Sequence, residues 1–456
     1  MIHSNQADAP DIRTAPASYI APSDVHNSLR RHLLVDGFDI VVDLQNSSGS
    51  RIRDAVTGRE YLDFFTFFAS SPVGLNHPAM LTEAFRDEIL HAAINKPSNS
   101  DVYTVEMAGF VDTFSRVAIP QALQHAFFVE GGALAVENAL KTAFDWKVQK
   151  NFARGITDER GHMILHFRQA FHGRSGYTMS LTNTDPTKIR HYPKFRDWPR
   201  VSNPAIRFPL ENENLTAVIE LEKQSLSQIK AAFTAHPRDI AAIIIEPIQG
   251  EGGDNHFRPE FLQALRVLAD ENEALLIFDE VQTGIGITGR MWAHEYFVEP
   301  DILVFGKKMQ VCGILAGKRI DEVPTNVFRV SSRINSTWGG NLVDMVRARK
   351  YLEIIESDRL VENADTCGCY LLGRLHELQA EFPQYLSNAR GRGLFCAIDF
   401  ATPDMRDAVR NDCYNRGLII LGCGESALRF RPALNIDAAT LDEGLDILRS
   451  SIATLG

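Results

Sequence analysis

The sequence predicts an α/β fold, in which a large domain built on a mainly parallel β-sheet is joined to a smaller α+β domain. Two observations lead to this prediction. From about residue 76 to residue 340, short apolar segments alternate with longer amphipathic ones, as in strands that alternate with helices. After residue 341 the alternation gives way to two helical stretches and then to short strands near 394–400 and 428–430.

The elements follow in chain order from these patterns. The apolar segments that predict strands of the large sheet are 125–129, 163–167, 241–245, 275–278 and 302–305. Between the first two, apolar residues recur at helical spacing, at Val136, Leu140, Ala143, Phe144 and Val148. In the smaller domain we expect one helix that ends near residue 356 and another around residues 370–381.

Four regions are predicted along the chain. Residues 1–24 are rich in Ala, Pro, Ser and Asp, which indicates a loose, flexible tail. Residues 25–75 are expected to pack with the smaller domain. Residues 76–340 form the predicted large domain, and residues 341–456 form the predicted C-terminal domain.

Composition excludes several classes of protein. The 456 residues carry a net charge of −11, which argues against a nucleic-acid-binding surface. The longest apolar runs, such as 240–245, are too short to span a membrane, and the N-terminus lacks the basic start and apolar core of a signal peptide. The six cysteines show no metal-ligand spacing. We therefore expect a cytoplasmic protein with reduced thiols, no metal, and neither nucleic acid nor membrane as a partner.

One glycine motif is set aside. Gly284-Ile-Gly-Ile-Thr-Gly289 matches the dinucleotide-binding string G-x-G-x-x-G. Five residues separate it from the preceding strand, and the stretch about 20 positions beyond it, where an acid should hold a ribose, contains none. A glycine-rich active-site loop is the better interpretation.

The first predicted strand continues through a double glycine into a helix, in the segment His125-Ala-Phe-Phe-Val-Glu-Gly-Gly-Ala133. Glycines let backbone N–H groups approach an anion closely, and a helix N-terminus adds unpaired donors and a partial positive charge. The segment indicates a phosphate site, although a plain strand–helix turn has the same appearance in isolation.

A second segment, Leu275-Leu-Ile-Phe-Asp279-Glu280-Val-Gln282, places an acid at the carboxyl end of a buried strand, where open α/β sheets bind ligands. A buried carboxylate is costly unless it meets a cation. A protonated pyridine nitrogen is such a cation, and its protonation makes the ring an electron sink. The alternative is an acid that caps the next turn.

A third segment, Asp301-Ile-Leu-Val-Phe-Gly-Lys307, ends a strand with Gly-Lys. A Schiff base with an aldehyde lowers the basicity of a lysine and makes it both a leaving group and a proton carrier. Alone, the segment fits a solvated lysine at a strand end better. The order of phosphate turn, acid and lysine at successive strand ends indicates a phosphate-bearing aldehyde cofactor.

This order resembles the pyridoxal-phosphate-dependent class III (ω-) aminotransferases, from about residue 50 to the end of the chain. The segments that carry the resemblance are Glu130-Gly-Gly-Ala-Leu-Ala-Val-Glu-Asn-Ala-Leu-Lys141, Phe171-His-Gly173, Glu246-Pro-Ile-Gln-Gly-Glu251-Gly-Gly253, Asp279-Glu-Val-Gln-Thr-Gly284 and Gly306-Lys307. The resemblance implies a fold-type-I transferase with pyridoxal 5'-phosphate as cofactor.

One departure from the family points to a branch within it. The family usually follows its lysine with a glycine-rich run, whereas Lys307 is followed here by Lys308-Met-Gln-Val-Cys-Gly313. Together with Asn335-Ser-Thr-Trp-Gly-Gly-Asn341 and Arg429-Phe-Arg-Pro432, this run is similar to the lysine-specific branch. Lys307, and not Lys308, occupies the position of the family's Gly-Lys.

The resemblance implies roles for individual residues toward the cofactor. Lys307 would form the Schiff base with it and then carry the proton to and from the substrate carbon, and Asp279 would pair with the pyridine nitrogen. The other implied contacts are Phe171 and Val281 on the two ring faces, Gln282 at the ring hydroxyl, Gly132 and Ala133 at the phosphate through backbone amides, and Thr337 of a neighbouring subunit at the same phosphate. A homodimer with a shared active site follows, although Thr337 could instead cap a helix.

The resemblance also implies the substrate contacts. Lysine presents its ε-amine with its carboxylate far away, whereas glutamate presents its α-amine with a carboxylate close by. Arg174 would bind the distant carboxylate in both cases. Arg429 would bind the near carboxylate of glutamate or 2-oxoglutarate, Glu251 would cover Arg429 when lysine is bound, and Gln282 would border the substrate.

The implied reaction transfers the ε-amino group of L-lysine to 2-oxoglutarate and yields 2-aminoadipate 6-semialdehyde, which cyclises to piperideine-6-carboxylate, and L-glutamate. Two alternatives stay open. One is another ω-aminotransferase, for ornithine, 4-aminobutyrate or acetylornithine, which would be expected to carry the glycine-rich run. The other is an aminomutase of the same fold, which needs no 2-oxoglutarate and is disfavoured by Arg429 and Glu251.

Overall fold

The computed structural model describes residues 20–456. Of the predicted tail, residues 1–19 lie outside the described residues. Residues 20–24 are exposed and include a short 3-10 turn at Pro22–Asp24.

The elements are numbered in chain order. The strands are β1 Arg51–Arg53, β2 Glu60–Asp63, β3 His125–Val129, β4 Met163–Phe167, β5 Arg200–Val201, β6 Ile240–Ile245, β7 Ile248–Gln249, β8 Asn255–His256, β9 Leu275–Asp279, β10 Ile302–Phe305, β11 Cys312–Ala316, β12 Leu386–Arg392, β13 Phe395–Phe400, β14 Leu418–Ile419, β15 Leu421–Cys423 and β16 Ala427–Phe430. The helices are α1 Val25–Leu29, α2 Thr66–Ala69, α3 Glu83–Ile94, α4 Val105–Val117, α5 Gly132–Ala153, α6 Thr178–Leu181, α7 Asn212–Ala235, α8 Pro259–Glu271, α9 Leu342–Ser357, α10 Leu360–Glu381, α11 Pro403–Arg416 and α12 Ala438–Ile452.

A seven-stranded sheet with the order β3-β11-β10-β9-β6-β4-β5 forms the centre of the fold. Strands β10, β9, β6, β4 and β5 are parallel, and β11 is antiparallel to both of its neighbours. The sheet and the helices around it confirm the predicted α/β class. The sequence interpretation did not identify β11, because its five residues begin shortly after two lysines and the whole segment was interpreted as a run following the lysine.

Both faces of this sheet are covered, as in other mainly parallel sheets. Successive side chains of a strand point to opposite faces. In β6, Ala242 and Ile244 join the apolar core that includes Trp146 of α5. Ile243 and Ile245 join the core that includes Leu262 of α8. Apolar packing on both faces holds the sheet in place, and with it the ends of its strands.

The C-terminal part of the chain builds a four-stranded antiparallel sheet, β12-β13-β16-β15, next to α10, α11 and α12. A smaller sheet joins β1 and β2 of the N-terminal segment to β14, with β14 parallel to β2. Helix α10 begins at Leu360, ten residues before the predicted stretch. Strand β12 was not predicted, because its sequence, Leu-Ser-Asn-Ala-Arg-Gly-Arg, lacks a clear apolar alternation.

Two further observations concern residues 20–456 as a whole. None of their helices combines the length and the apolar character that crossing a lipid bilayer requires. Within the same residues, His, Cys, Asp and Glu side chains form no group of three or more that could bind a metal ion.

Candidate active site

A cavity of about 630 Å³ opens at the carboxyl ends of β3, β4, β6, β9 and β10. These strands run in one direction, so the residues that follow them meet at one edge of the sheet. Eight residues with predicted roles line the cavity: Gly132, Ala133, Phe171, Arg174, Asp279, Val281, Gln282 and Lys307. Segments that are far apart in sequence therefore meet at a single site.

Asp279 is the last residue of β9 and is only 5% exposed. One carboxylate oxygen lies 2.8 Å from Nδ1 of the fully buried His172, and the other accepts a hydrogen bond from the Val281 backbone N–H at 3.1 Å. These two contacts hold the Asp279 carboxylate in a fixed orientation at the cavity wall. The sequence interpretation gave His172 no role, although its place between Phe171 and Gly173 was the available signal.

Glu246, directly after β6, is a second buried carboxyl at the cavity wall. Its oxygens accept hydrogen bonds from the backbone N–H groups of Phe171 at 2.9 Å and Gly250 at 3.0 Å. Burial, aided by the negative charge of Asp279, raises the pKa of Glu246 to about 7. Glu246 thus ties together the two loops that carry Phe171 and Glu251, a function that no local sequence signal indicates.

Two adjacent lysines follow β10 and point to different places. Lys307 lines the cavity and is partly exposed, and its amine donates a hydrogen bond to the carbonyl of Phe68 at 3.1 Å. Lys308 is buried, and its amine donates to the carbonyls of Gln282 at 2.7 Å and Ala69 at 3.4 Å. Only the amine of Lys307 can therefore reach a molecule in the cavity.

The environment of Lys307 alters its basicity and its backbone. Burial, together with the positive charge of Arg429, lowers the pKa of the Lys307 amine to about 8. A neutral fraction near neutral pH makes the amine a nucleophile and a proton acceptor. The backbone of Lys307 has φ of 50°, a strained conformation for a residue with a side chain, and such strain is typical of functional sites.

The segment that faces Lys307 is strained as well. Although numbered α2, Thr66–Ala69 is a left-handed turn with φ between 42° and 63°. Each left-handed residue costs about 1–2 kcal/mol. The backbone N–H groups of Phe65 and Thr66 donate to one oxygen of the buried Asp63, at 2.9 and 2.7 Å, which helps to hold the turn. The carbonyls of Phe68 and Ala69 in this turn accept hydrogen bonds from the amines of Lys307 and Lys308, respectively.

An anion cradle lies at the start of α5, a helix of 22 residues. Gly131 has φ of 99°, which exposes the backbone N–H groups at the helix N-terminus. Gly173 has φ of 113°, and a Cβ there would lie 2.5 Å from the Cβ of Ala133, so this approach requires glycine. The loop after β4 therefore packs directly against the predicted phosphate site.

Glu251 bridges two cations beside the cavity. One of its oxygens lies 3.1 Å from Nη1 of Arg429, a buried residue of β16, and the other pairs with the amine of Lys188. Burial raises the pKa of Glu251, but the charges of Arg429 and Lys188 outweigh it and the pKa lies below its ordinary value. The Glu251–Arg429 pair places these two predicted residues together. Lys188 was not identified, because it belongs to no motif.

Arg174 and Thr337 complete the predicted residues. Arg174 lines the cavity and is exposed, so its guanidinium is accessible to an anion that enters there. Thr337 is exposed and does not line the cavity, and its carbonyl accepts a hydrogen bond from Ser98 Oγ at 2.6 Å. The predicted contact of Thr337 with a phosphate stays a prediction, because it requires a second subunit.

The residues around the cavity fit pyridoxal phosphate. A buried carboxylate, Asp279, lines the cavity, where among residues 20–456 it contacts His172 and the Val281 N–H but no arginine or lysine, and so suits a cationic ring nitrogen. The N-terminus of α5 suits the phosphate. A lysine amine of lowered pKa suits the aldehyde.

Comparisons with known proteins agree with this geometry. Residues 35–452 match the Aminotransferase class-III family. The chain is 55% identical over 433 residues to the L-lysine-epsilon aminotransferase of Mycobacterium tuberculosis. The aligned region covers 94% of this chain and 96% of that protein. It is 50% identical over 450 residues to the L-lysine-epsilon aminotransferase of Streptomyces clavuligerus, with 98% of each chain covered. The solved lysine aminotransferase from M. tuberculosis in the internal aldimine form matches with a TM-score of 0.94 and 55% identity, over 96% of this chain and 100% of that one.

Proposed function

The chain belongs to the class-III aminotransferases, and from this premise we propose that it transfers the ε-amino group of L-lysine to 2-oxoglutarate. The products are 2-aminoadipate 6-semialdehyde, which closes to piperideine-6-carboxylate, and L-glutamate. The observation that carries the proposal is the identity of 50–55% to L-lysine-epsilon aminotransferases over nearly the whole chain. The pairing of Glu251 with Arg429 supports it, because a substrate without a near carboxylate requires that arginine to be covered.

Pyridoxal phosphate, when bound, supplies an aldehyde that condenses with amines and a ring that delocalises an electron pair. Asp279, oriented by His172, would hold a proton on the ring nitrogen. The backbone N–H groups of Gly132 and Ala133 would bind the phosphate. Phe171 and Val281, which line the cavity, would confine the ring, and Gln282 would donate a hydrogen bond to the ring hydroxyl.

Lys307 performs the proton transfer. Its amine, with a pKa of about 8, accepts a proton from the amine-bearing carbon of the substrate and returns one to the product. Its side chain lines the cavity from a left-handed backbone position. The neighbouring Lys308 takes no part, since its amine is bound to two carbonyls in the interior.

Two arginines select the substrates. The guanidinium of Arg174, at the cavity mouth, binds the carboxylate that lies far from the reacting amine, in lysine and in glutamate alike. Glu251 neutralises Arg429 while lysine is bound, which leaves a wall without net charge beside the methylene chain. With glutamate or 2-oxoglutarate, Arg429 binds the near carboxylate and Glu251 moves aside.

A homodimer with a shared active site completes the proposal. Segments 98–102 and 336–340 are joined by hydrogen bonds from Ser98 to the Thr337 carbonyl and from Asn99 to the Gly340 carbonyl. Large apolar side chains are exposed on and near these segments: Val102, Tyr103, Val105 and Trp338. We propose that a second copy covers this surface and that Thr337 there contacts the phosphate of that copy. Analytical ultracentrifugation that finds only monomer would contradict this part.

We place the protein in the cytoplasm, because all six cysteines are free and five are buried, as suits a reducing compartment. Fractionation of the source cells, with the protein detected by antibody, tests this location.

The decisive experiment incubates the purified protein with L-lysine and 2-oxoglutarate and traps cyclic imine with o-aminobenzaldehyde. We expect the adduct only when both substrates are present. Absence of the adduct, with bleaching of the bound cofactor by ornithine or 4-aminobutyrate, would refute the lysine assignment. An aminomutase keeps the amino group on its substrate and releases no semialdehyde, so consumption of lysine without 2-oxoglutarate and without adduct would indicate an aminomutase.

A further inference from the structure

A third cation, Lys188, shares the carboxylate on which the choice between the two substrates depends. Lys188 ends the 3-10 turn Pro186–Lys188, between β4 and β5, whereas Arg429 lies on β16 of the C-terminal part. The two cations approach Glu251 from different parts of the fold, and each pairs with a different oxygen of the carboxylate. The two ion pairs therefore do not compete for the same oxygen.

The backbone that carries Glu251 is held firmly on several sides. The Glu251 carbonyl accepts a hydrogen bond from the Gly424 N–H at 3.0 Å. Three residues further on, the fully buried Asp254 is bound by Arg431 through two hydrogen bonds of 2.9 and 2.5 Å, and its carbonyl accepts from Arg390 Nε at 3.0 Å. When a carboxylate of glutamate takes the place of Glu251 at Arg429, the side chain of Glu251 must therefore rotate while its backbone stays in place.

A carboxylate that leaves Arg429 needs another counter-ion, because Glu251 is only 24% exposed. An ionised carboxylate in such a place is costly when it is unpaired. Lys188 already contacts it, and its amine also lies 5.6 Å above the ring of Phe171, which restricts where the amine can go. The turn that carries Lys188 is itself fixed by the hydrogen bond from the Thr187 N–H to Asp185 Oδ1 at 2.8 Å.

We infer that Lys188 is the positioning residue that retains Glu251 when Arg429 is taken by a dicarboxylate substrate. In the lysine-bound state Glu251 is shared between Arg429 and Lys188. In the glutamate-bound or 2-oxoglutarate-bound state Glu251 stays paired with Lys188 alone. Lys188 thereby lowers the free energy of the state with glutamate or 2-oxoglutarate bound, and it has little effect on the free energy of the state with lysine bound. This inference rests on the proposed function, since it concerns the step at which the two substrates differ.

The test uses the holoenzyme and the variant Lys188→Met, which keeps the length and apolar stem of the side chain and removes its charge. Calorimetry measures the Kd of glutarate, an unreactive dicarboxylate, and of pentanoate, which has the same chain length and one carboxylate. We expect Lys188→Met to weaken glutarate about tenfold, the effect of losing one partly exposed charged hydrogen bond, and to change pentanoate by less than about twofold. Lys188→Arg should restore glutarate binding.

Half-reactions give a second readout, followed by the absorbance of the bound cofactor. The KM for glutamate should rise about tenfold in Lys188→Met, whereas kcat/KM for lysine should stay within about twofold of wild type. Lys223→Met is the matched control, because Lys223 forms an exposed pair with Glu220 on α7 and is 65% exposed. The control should leave both half-reactions and both affinities unchanged.

Three results separate the possible failures. Equal loss toward glutarate and pentanoate, or toward glutamate and lysine, would overturn the inference and leave Lys188 as a structural residue. Unchanged glutarate affinity in Lys188→Met would overturn it as well. A wild-type protein that binds glutarate but gives no half-reaction with lysine would refute the proposed function, and the glutarate affinity of the variant would still decide the role of Lys188.

Discussion

Replacing each of the two adjacent lysines in turn tests the assignment of the catalytic amine most directly. Lys307→Ala removes the amine that lines the cavity, and Lys308→Met removes the buried amine while retaining a side chain of similar length. The residues are neighbours in sequence, but their amines contact different groups. Lys307 donates to the carbonyl of Phe68 and Lys308 to those of Ala69 and Gln282.

We expect Lys307→Ala to lower the rate of turnover and Lys308→Met to lower the free energy of unfolding. A lysine that accepts and donates the proton in the reaction contributes about 10²–10⁴ to the rate, so Lys307→Ala should lower turnover by at least that factor. Burial lowers the pKa of Lys308 well below its ordinary value, and its amine is held in the interior by the carbonyls of Gln282 and Ala69. Lys308→Met leaves two buried carbonyls without this donor, which costs about 1–3 kcal/mol of folding stability and leaves the chemistry in place.

Three measurements separate the two variants. Turnover with lysine and 2-oxoglutarate reports the chemistry, and chemical denaturation reports the free energy of unfolding. Borohydride reduction of the wild-type holoenzyme, followed by peptide mass spectrometry, identifies the lysine that is covalently linked to the cofactor. Lys318→Met, on an exposed residue, is the control for loss of a lysine charge and should change none of the three.

The reasoning is refuted if the reduced linkage maps to Lys308, or if Lys307→Ala turns over within about tenfold of wild type. A Lys308→Met protein that unfolds at the wild-type denaturant concentration but has lost turnover would also contradict it. That outcome would mean that the buried amine takes part in the reaction.

Four further predictions concern carboxylates. Asp279→Ala should lower turnover by about 10²-fold or more, measured at saturating cofactor, since the ring nitrogen loses the charge that keeps it protonated. Glu251→Ala should impair the lysine half-reaction more than the glutamate half-reaction in stopped-flow absorbance, and equal losses would exclude its role at Arg429. Asp254→Asn breaks a fully buried ion pair with Arg431 and should cost about 3–5 kcal/mol in urea unfolding, whereas a loss under about 1 kcal/mol would show the pair to be dispensable. Burial raises the pKa of Asp63 from 3.8 to about 6, so its contribution to stability is fully present below pH 3.8 and is lost as the pH rises through about 6. Asp63→Asn keeps the oxygen that accepts both backbone hydrogen bonds and should therefore gain up to about 3 kcal/mol relative to wild type between about pH 4 and pH 7.

The elements that the sequence predicted well are those with strong local patterns. The continuous apolar run of β6 was predicted at 241–245 and observed at Ile240–Ile245, because a strand buried on both faces has few polar residues to obscure its ends. Strand β9 extends one residue beyond the prediction and includes Asp279, whose side chain finds a partner in His172. The predicted tail, by contrast, lies mostly outside the described residues.

Residues that meet only through packing could not be predicted in the same way. Lys188 belongs to no motif, and 63 residues separate it from Glu251. Strand β11 is only five residues long and begins shortly after two lysines, yet it fits between β3 and β10 because both strands offer it backbone partners. Thr337 stays a prediction, because its role requires a second subunit.

The sequence by itself determined the order of the chemical groups. The anion turn at Gly131–Gly132, the acid at Asp279 and the lysine at Lys307 are each encoded within a few residues, because a strand end, a glycine turn and a helix start are local structures. Only the tertiary structure decided which lysine amine faces the cavity and which cations share Glu251. The direction of a side chain depends on backbone angles that surrounding segments impose, and the pairing of charges depends on distances that packing sets between segments far apart in the chain.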